Sequence, residues 1–217
     1  MIVSIARELG AGGRTVGEAV ASALGAALLD ERSVIAQLSE RHGLSAEYVA
    51  TRIERAPTAG EQLIANLAAA AAMLPVAPVW QAPDELVVDA VREIVLERAA
   101  LGHVVVIGHG GVSLTGWRPA GIVVLPILLR AGRAWRIDQL ARRYAIEHGE
   151  ARARIDRTDE ARLRFQRHYF DCDLYDCRQY DVVLNTESLG LERATEIACG
   201  VATTLAARSP QPAAGAR

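Results

Sequence analysis

The first seventeen residues constrain this chain more than any other stretch. Ile2-Val3-Ser4-Ile5-Ala6 is a short apolar run that leads through Arg7-Glu8-Leu9 into Gly10-Ala11-Gly12-Gly13-Arg14-Thr15. Beyond the glycines, Val16, Ala19, Val20, Ala23 and Leu24 recur at helical spacing. That periodicity predicts an amphipathic helix from Arg14 or Thr15, with Gly25 as its C-cap. A short, mostly apolar strand that turns through glycines into a helix reads as the opening of a parallel α/β sheet. It is also a natural anion site, because backbone N–H groups and the helix dipole point the same way.

The same alternation continues along the chain. Ala26 to Leu29 reads as a second strand, and Asp30 as the cap of a helix reaching about Arg41. Asp84 to Leu101 reads as a long amphipathic helix stopped by Gly102, and Val104 to Ile107 as a third strand. Ile122 to Leu129 contains a fourth, with Pro126 limiting its length or placing it at an edge. Arg136 to Glu147 is a helix, Asp181 to Leu184 a fifth strand, and Leu191 to Leu205 a closing helix. The expected architecture is a five-stranded parallel sheet with helices on both faces. Its ligand edge, at the carboxyl ends of the strands, would carry Arg7 to Thr15, Asp30 and Gly108 to Gly111.

Residues 43–84 interrupt this order with helical, alanine-rich sequence closed by Pro75, Pro78 and Pro83, and read as a small inserted helical region. With 217 residues and a 51% hydrophobic fraction, the chain fits one domain over 1–207. Residues 208–217 form a tail expected to be disordered.

Charge separates the function classes. The net charge is −2, which points to neither nucleic acid nor membrane. All 24 basic residues are arginine, and 12 of them fall between Arg130 and Arg178. Guanidinium groups match planar, multiply charged anions such as phosphates. Three cysteines, Cys172, Cys177 and Cys199, make no disulfide framework. His168, Cys172 and Cys177 match no standard zinc spacing. The N-terminus is unlike a signal peptide and no 18-residue apolar run exists, so the chain is expected to be soluble and cytoplasmic.

Spacing leaves the glycine loop open to several readings. Against the phosphate-loop pattern G-x-x-x-x-G-K-[ST], Gly13-Arg14-Thr15 fits the last three positions with arginine in place of lysine, and Glu8 stands at the first glycine. Alternatively, Gly10-Ala11-Gly12 aligns with the late glycines. Gly10, Gly12 and Asp30 also fit a dinucleotide fingerprint, with Thr15 at its third glycine. A tight turn without a ligand fits as well.

Taken in order, these segments resemble the cytidylate-kinase-like proteins, a divergent branch of the nucleoside monophosphate kinases. Ala6-Arg7-Glu8-Leu9-Gly10-Ala11-Gly12-Gly13-Arg14-Thr15-Val16-Gly17 is similar to their opening, and Leu28-Leu29-Asp30 to their second-strand ending. Val105-Val106-Ile107-Gly108-His109-Gly110, Arg136-Ile137, Arg157-Thr158-Asp159-Glu160-Ala161-Arg162 and Tyr180-Asp181-Val182-Val183-Leu184-Asn185-Thr186 follow in the family's order over residues 1–200. The resemblance implies a three-layer P-loop kinase fold with an arginine-rich lid at about 149–168, ATP and Mg²⁺ on the donor side, and CMP as acceptor. Small-molecule nucleotides are then the expected partners. Two positions depart from the pattern: Ala6 replaces a serine, and His109 an arginine near substrate phosphate.

On this reading Gly10, Ala11, Gly12, Gly13, Arg14 and Thr15 hold donor phosphates, and Thr15 also meets Mg²⁺. Arg14, Arg157 and Arg162 stabilise the moving phosphoryl group, since phosphoryl transfer rests on positioning and positive charge. Asp30, His109, Arg133, Arg136 and Arg154 face the acceptor. Asp159 is expected to pair with Arg162 or Arg157 on its own helix. A nucleotide-binding module with little or no catalysis, acting as a sensor or interaction protein, is the alternative.

Overall fold

Ile2, Ile5, Leu125, Ile127, Leu128 and Leu129 are the largest apolar side chains that the strands bury completely, and they locate the core in a central sheet. The computed structural model describes residues 1–43, 45–47, 49, 84–108 and 121–208. In chain order its elements are β1 (Ile2–Arg7), α1 (Gly13–Leu24), β2 (Ala27–Leu29), α2 (Glu31–His42), α3 (Asp84–Leu101), β3 (Val104–Ile107) and β4 (Val124–Arg130). Then come α4 (Arg133–Tyr144), α5 (His148–Phe170), a 3₁₀ turn at Cys177–Gln179, β5 (Val182–Asn185), α6 (Thr186–Leu189) and α7 (Leu191–Arg208). The strands lie in the order β2-β3-β1-β4-β5, and every pairing is parallel.

Alternation along the strands builds two core layers. Val3, Ile5, Val105, Leu125, Ile127 and Leu129 meet Val16 and Val20 of α1 and the Ala194, Ala198 and Ala202 ridge of α7. On the opposite face Ile2, Val104, Val106 and Val124 meet Val34 and Leu38 of α2 and Val91, Ile94 and Val95 of α3. Each such Val, Leu or Ile contributes roughly 1.5–3 kcal/mol through burial. Gly17 lets α1 approach closely: a Cβ there would meet Ile107 at 2.4 Å.

Pro126 corrects one expectation. It sits inside β4, which is flanked by β1 and β5 and runs seven residues. Its carbonyl accepts the Asp181 N–H at 3.0 Å, on the β5 side. The β5 ladder begins one residue later, with Ile127 opposite Val182. The missing N–H therefore faces the approach to β5, and no ladder bond is lost.

Asp30 caps α2 as expected, accepting the Ser33 N–H at 3.0 Å while the Ser33 hydroxyl accepts from the Asp30 N–H. Helix α4 starts at Arg133 and ends at Tyr144, three residues earlier at each end than its periodicity suggested. The arginine-rich stretch is one continuous 23-residue helix, α5, packed on α4 through Ile137, Leu140, Ala141, Ala151 and Ile155. Most of the inserted region at 43–84, His109 with the glycines after it, and the tail from Ser209 lie outside the described residues.

Candidate active site

Five residues, Glu8–Gly12, join β1 to α1. The Ala11 N–H donates to the Glu8 carbonyl at 3.1 Å and closes a turn with Gly10 at its third position, φ +88°. That region favours glycine, and the space does too: a Cβ on Gly10 would lie 2.9 Å from the Arg136 carbonyl oxygen. Gly12 is left-handed at φ +84° and forms the N-cap of α1 without any side-chain cap. The first N–H groups of α1 are thus left for a ligand.

They open into a cleft of about 780 Å³ at the carboxyl ends of the strands. Seven arginines line it. Arg7, Arg14 and Arg32 come from β1, α1 and α2; Arg143 comes from α4, and Arg154, Arg157 and Arg162 from one face of α5. Arg14 bonds Glu18 at 2.7 Å and lies 4.0 Å from Asp30, and the Glu18 hydrogen bond raises its already high pKa. Exposed pairs of this kind exchange readily for a better anion. No ion pair engages Arg157 among the described residues. The Arg154 guanidinium stacks on the Tyr144 ring at 4.5 Å, and Trp135 lines the same wall.

Beneath the cleft lies a buried ionic network. Glu8 and Arg136 are 8% and 6% exposed. The Ala131 N–H donates to Glu8 Oε2 at 2.9 Å, and Arg136 Nε lies 3.8 Å from the same oxygen. Arg136 also donates to the Ala131 and Leu9 carbonyls, both at 3.1 Å, and to Asp159 Oδ2. Asp159 Oδ1 accepts the Leu9 N–H at 2.8 Å. Arg162 stands 4.0 Å from Asp159 and donates to the Arg7 carbonyl at 3.3 Å. Nearby, burial and then the negative charges of Asp159 and Glu8 push the Tyr175 phenol up to about 12.

The cleft brings together Gly10, Gly12, Gly13, Arg14, Thr15, Asp30, Arg154, Arg157 and Arg162 of the residues singled out from sequence. Ala11 is fully buried in the core layer instead. Arg133 makes a bidentate exposed pair with Asp156 of α5 and does not line the cleft. Arg136 belongs to the buried network, so its charge is already matched within the protein. His109 lies outside the described residues. Sequence reasoning missed Arg32, Arg143, Trp135 and Tyr144; for Trp135 and Arg143 the signal is the 135, 139, 143 spacing, which marks a second face of α4. The dinucleotide reading loses its support, because Thr15 is exposed and the close helix–sheet contact falls at Gly17. No described helix is long and apolar enough to cross a membrane.

Among solved structures, an uncharacterized protein from Eubacterium ventriosum is similar with a TM-score of 0.66 at 13% identity, over 94% of this chain and 99% of that one. A shikimate kinase from Bacteroides thetaiotaomicron aligns at 14% identity over 95% and 98% of the two chains, with a TM-score of 0.48. No curated protein matches the sequence. The cytidylate kinase-like family matches residues 2–188. With a parallel sheet in the order β2-β3-β1-β4-β5 behind a glycine loop, the chain belongs to the cytidylate kinase-like family and has its P-loop kinase fold.

Proposed function

We propose that this protein transfers a phosphoryl group from ATP to a nucleoside monophosphate, CMP or dCMP, giving the diphosphate and ADP. One observation carries the reading: seven arginines and the uncapped N-terminus of α1 converge on one cleft. Phosphoryl transfer asks for that combination, because the charge spread over the transferring group must be met by fixed donors.

The donors of the α1 first turn hold donor phosphates, and Gly12 and Gly13 let that turn pack on Leu191 and Arg7, which a Cβ would meet at 2.3 and 2.7 Å. Arg14 gives up its exposed Glu18 pair to a phosphate oxygen. Arg157 and Arg162 meet the transferring group from α5, which acts as the lid. Thr15, exposed in the first turn of α1, and Asp30 on the same cleft offer hard oxygen ligands. Magnesium carried by a polyphosphate needs few protein oxygens, so this donor set fits the ion. When bound it neutralises charge on the phosphates. Trp135 and the Tyr144–Arg154 stack suit a flat nucleobase.

Coupled detection of ADP with CMP, dCMP, UMP and AMP tests the reading. Turnover is expected with CMP or dCMP in preference to AMP; folded protein that turns over none of the four rejects it. The absence of lysine and the engagement of Arg14 by Glu18 favour one second reading, a nucleotide-binding module without transfer. Calorimetry showing ATP or CMP binding without turnover would select it.

A further inference from the structure

Asp159 sits on α5, yet its carboxylate serves the loop after β1. One oxygen accepts the Leu9 N–H at 2.8 Å, and the other accepts from Arg136. Arg136 in turn holds the Leu9 carbonyl. Both backbone polar groups of Leu9 are therefore tied down, one by α5 and one by α4, while its side chain packs against the cluster between those helices. The next residue is Gly10, whose positive φ sets the direction of the peptides that follow. A residue with so many restraints fixes the register of the turn ahead of α1.

The same carboxylate bears on the arginine face. Arg162, one turn further along α5, is 4.0 Å from Asp159 and only 12% exposed at its side chain. Arg154, Thr158, Ala161 and Arg162 line the cleft from α5. Anchoring Asp159 to Leu9 sets the rotation of α5 about its axis, and with it which arginines face the cleft. A second polar tie between α4 and α5, Arg133 to Asp156, is exposed and lies off the cleft.

We infer that Asp159 is a positioning residue that makes the glycine loop and the arginine face of α5 one unit, so that neither reaches its working geometry without the other. Its kinetic part rests on the phosphoryl-transfer reading above; its structural part does not.

Hydrogen exchange and steady-state kinetics on Asp159→Asn, Asp159→Ala and Asp156→Asn test it. Asparagine keeps an acceptor for the Leu9 N–H but cannot match the Arg136 charge, so it guards against a variant that fails to fold. In both Asp159 variants, exchange in peptides covering residues 8–15 and in those covering 152–162 should accelerate together. Asp156→Asn should leave both segments as in the wild type. With CMP and ATP, Asp159→Asn should lower kcat by about 100-fold, the scale of a small misplacement of reacting groups, while KM for CMP moves by less than about 3-fold. Faster exchange confined to α5, with residues 8–15 unchanged, overturns the coupling. A kcat equal to wild type in Asp159→Asn overturns it as well. Should the wild type turn over no nucleotide, the function proposal falls, and the exchange experiment alone decides whether Asp159 couples the two segments.

Discussion

Gly10 shows what a single residue contributes to the site. Its φ of +88° and the Arg136 carbonyl 2.9 Å from a would-be Cβ act together. Gly10→Ala should lower stability by about 1–3 kcal/mol, read as a shift in the denaturation midpoint. Gly25 has φ +58° with nothing within 4 Å of a Cβ, so Gly25→Ala should cost only the backbone share, about 1 kcal/mol. Glu8 explains a second local feature. It stands where the phosphate-loop pattern has its first glycine, and the fold uses its carboxylate to hold the Ala131 N–H beside Arg136. Arg157 is the opposite kind of residue, exposed and facing the cleft. Arg157→Ala should reduce kcat by roughly 10³-fold, as for arginines that meet a transferring phosphoryl group, with the melting temperature unchanged.

At the scale of elements, α4 and α5 are joined in the interior by Arg136 and Asp159, and at the surface by Arg133 with Asp156 and by Asp138 with His148. Arg136→Ala leaves Glu8 buried without its cation and strips half-buried Asp159 of its nearest one, and should destabilise by about 3–5 kcal/mol. Arg133→Ala removes only an exposed pair and should leave the chemical denaturation midpoint near wild type. The contrast marks what was legible in the sequence. The strands and helices were, because alternation and 3.6-residue spacing are local signals. The glycine loop and the Asp30 cap were legible for the same reason. The network was not: Asp159 bonds Leu9 from 150 positions away. Seen alone, Asp159 and Arg162 look like a helix-surface pair three residues apart. The resemblance turns Arg136 toward the acceptor, whereas here it is 6% exposed and held by Asp159, a partner that lies on another helix. Pro126 misled in a similar way, since what makes it harmless is the starting point of β5.

On the scale of the whole molecule, two phenols set an alkaline limit. Burial raises Tyr175 from 10.0 to about 12 and raises Tyr180, whose hydroxyl donates to the Leu174 carbonyl at 2.6 Å. The fold therefore favours the neutral phenols. Their contribution is fully present below pH 10 and is lost as pH climbs through 10 toward 12 and beyond. Urea midpoints measured from pH 8 to 12 should fall across that window, and Tyr175→Phe should flatten the decline. The arginine-lined cleft has a consequence of another kind. The chain as a whole is acidic at −2, yet seven guanidinium groups face one opening, and the carboxylates of Glu8 and Asp159 are already spent on Arg136 inside. Among the described residues, these seven arginines outnumber Asp30 and Glu31 on the same lining, so the mouth of the cleft attracts polyanions. Capture of a polyphosphate from solution should then be steered by the field, and its association rate should drop steeply as added salt shortens the Debye length to about 8 Å. The dissociation rate should change far less. Stopped-flow binding at several ionic strengths would separate the two rates and show how far outside the cleft its charge is felt.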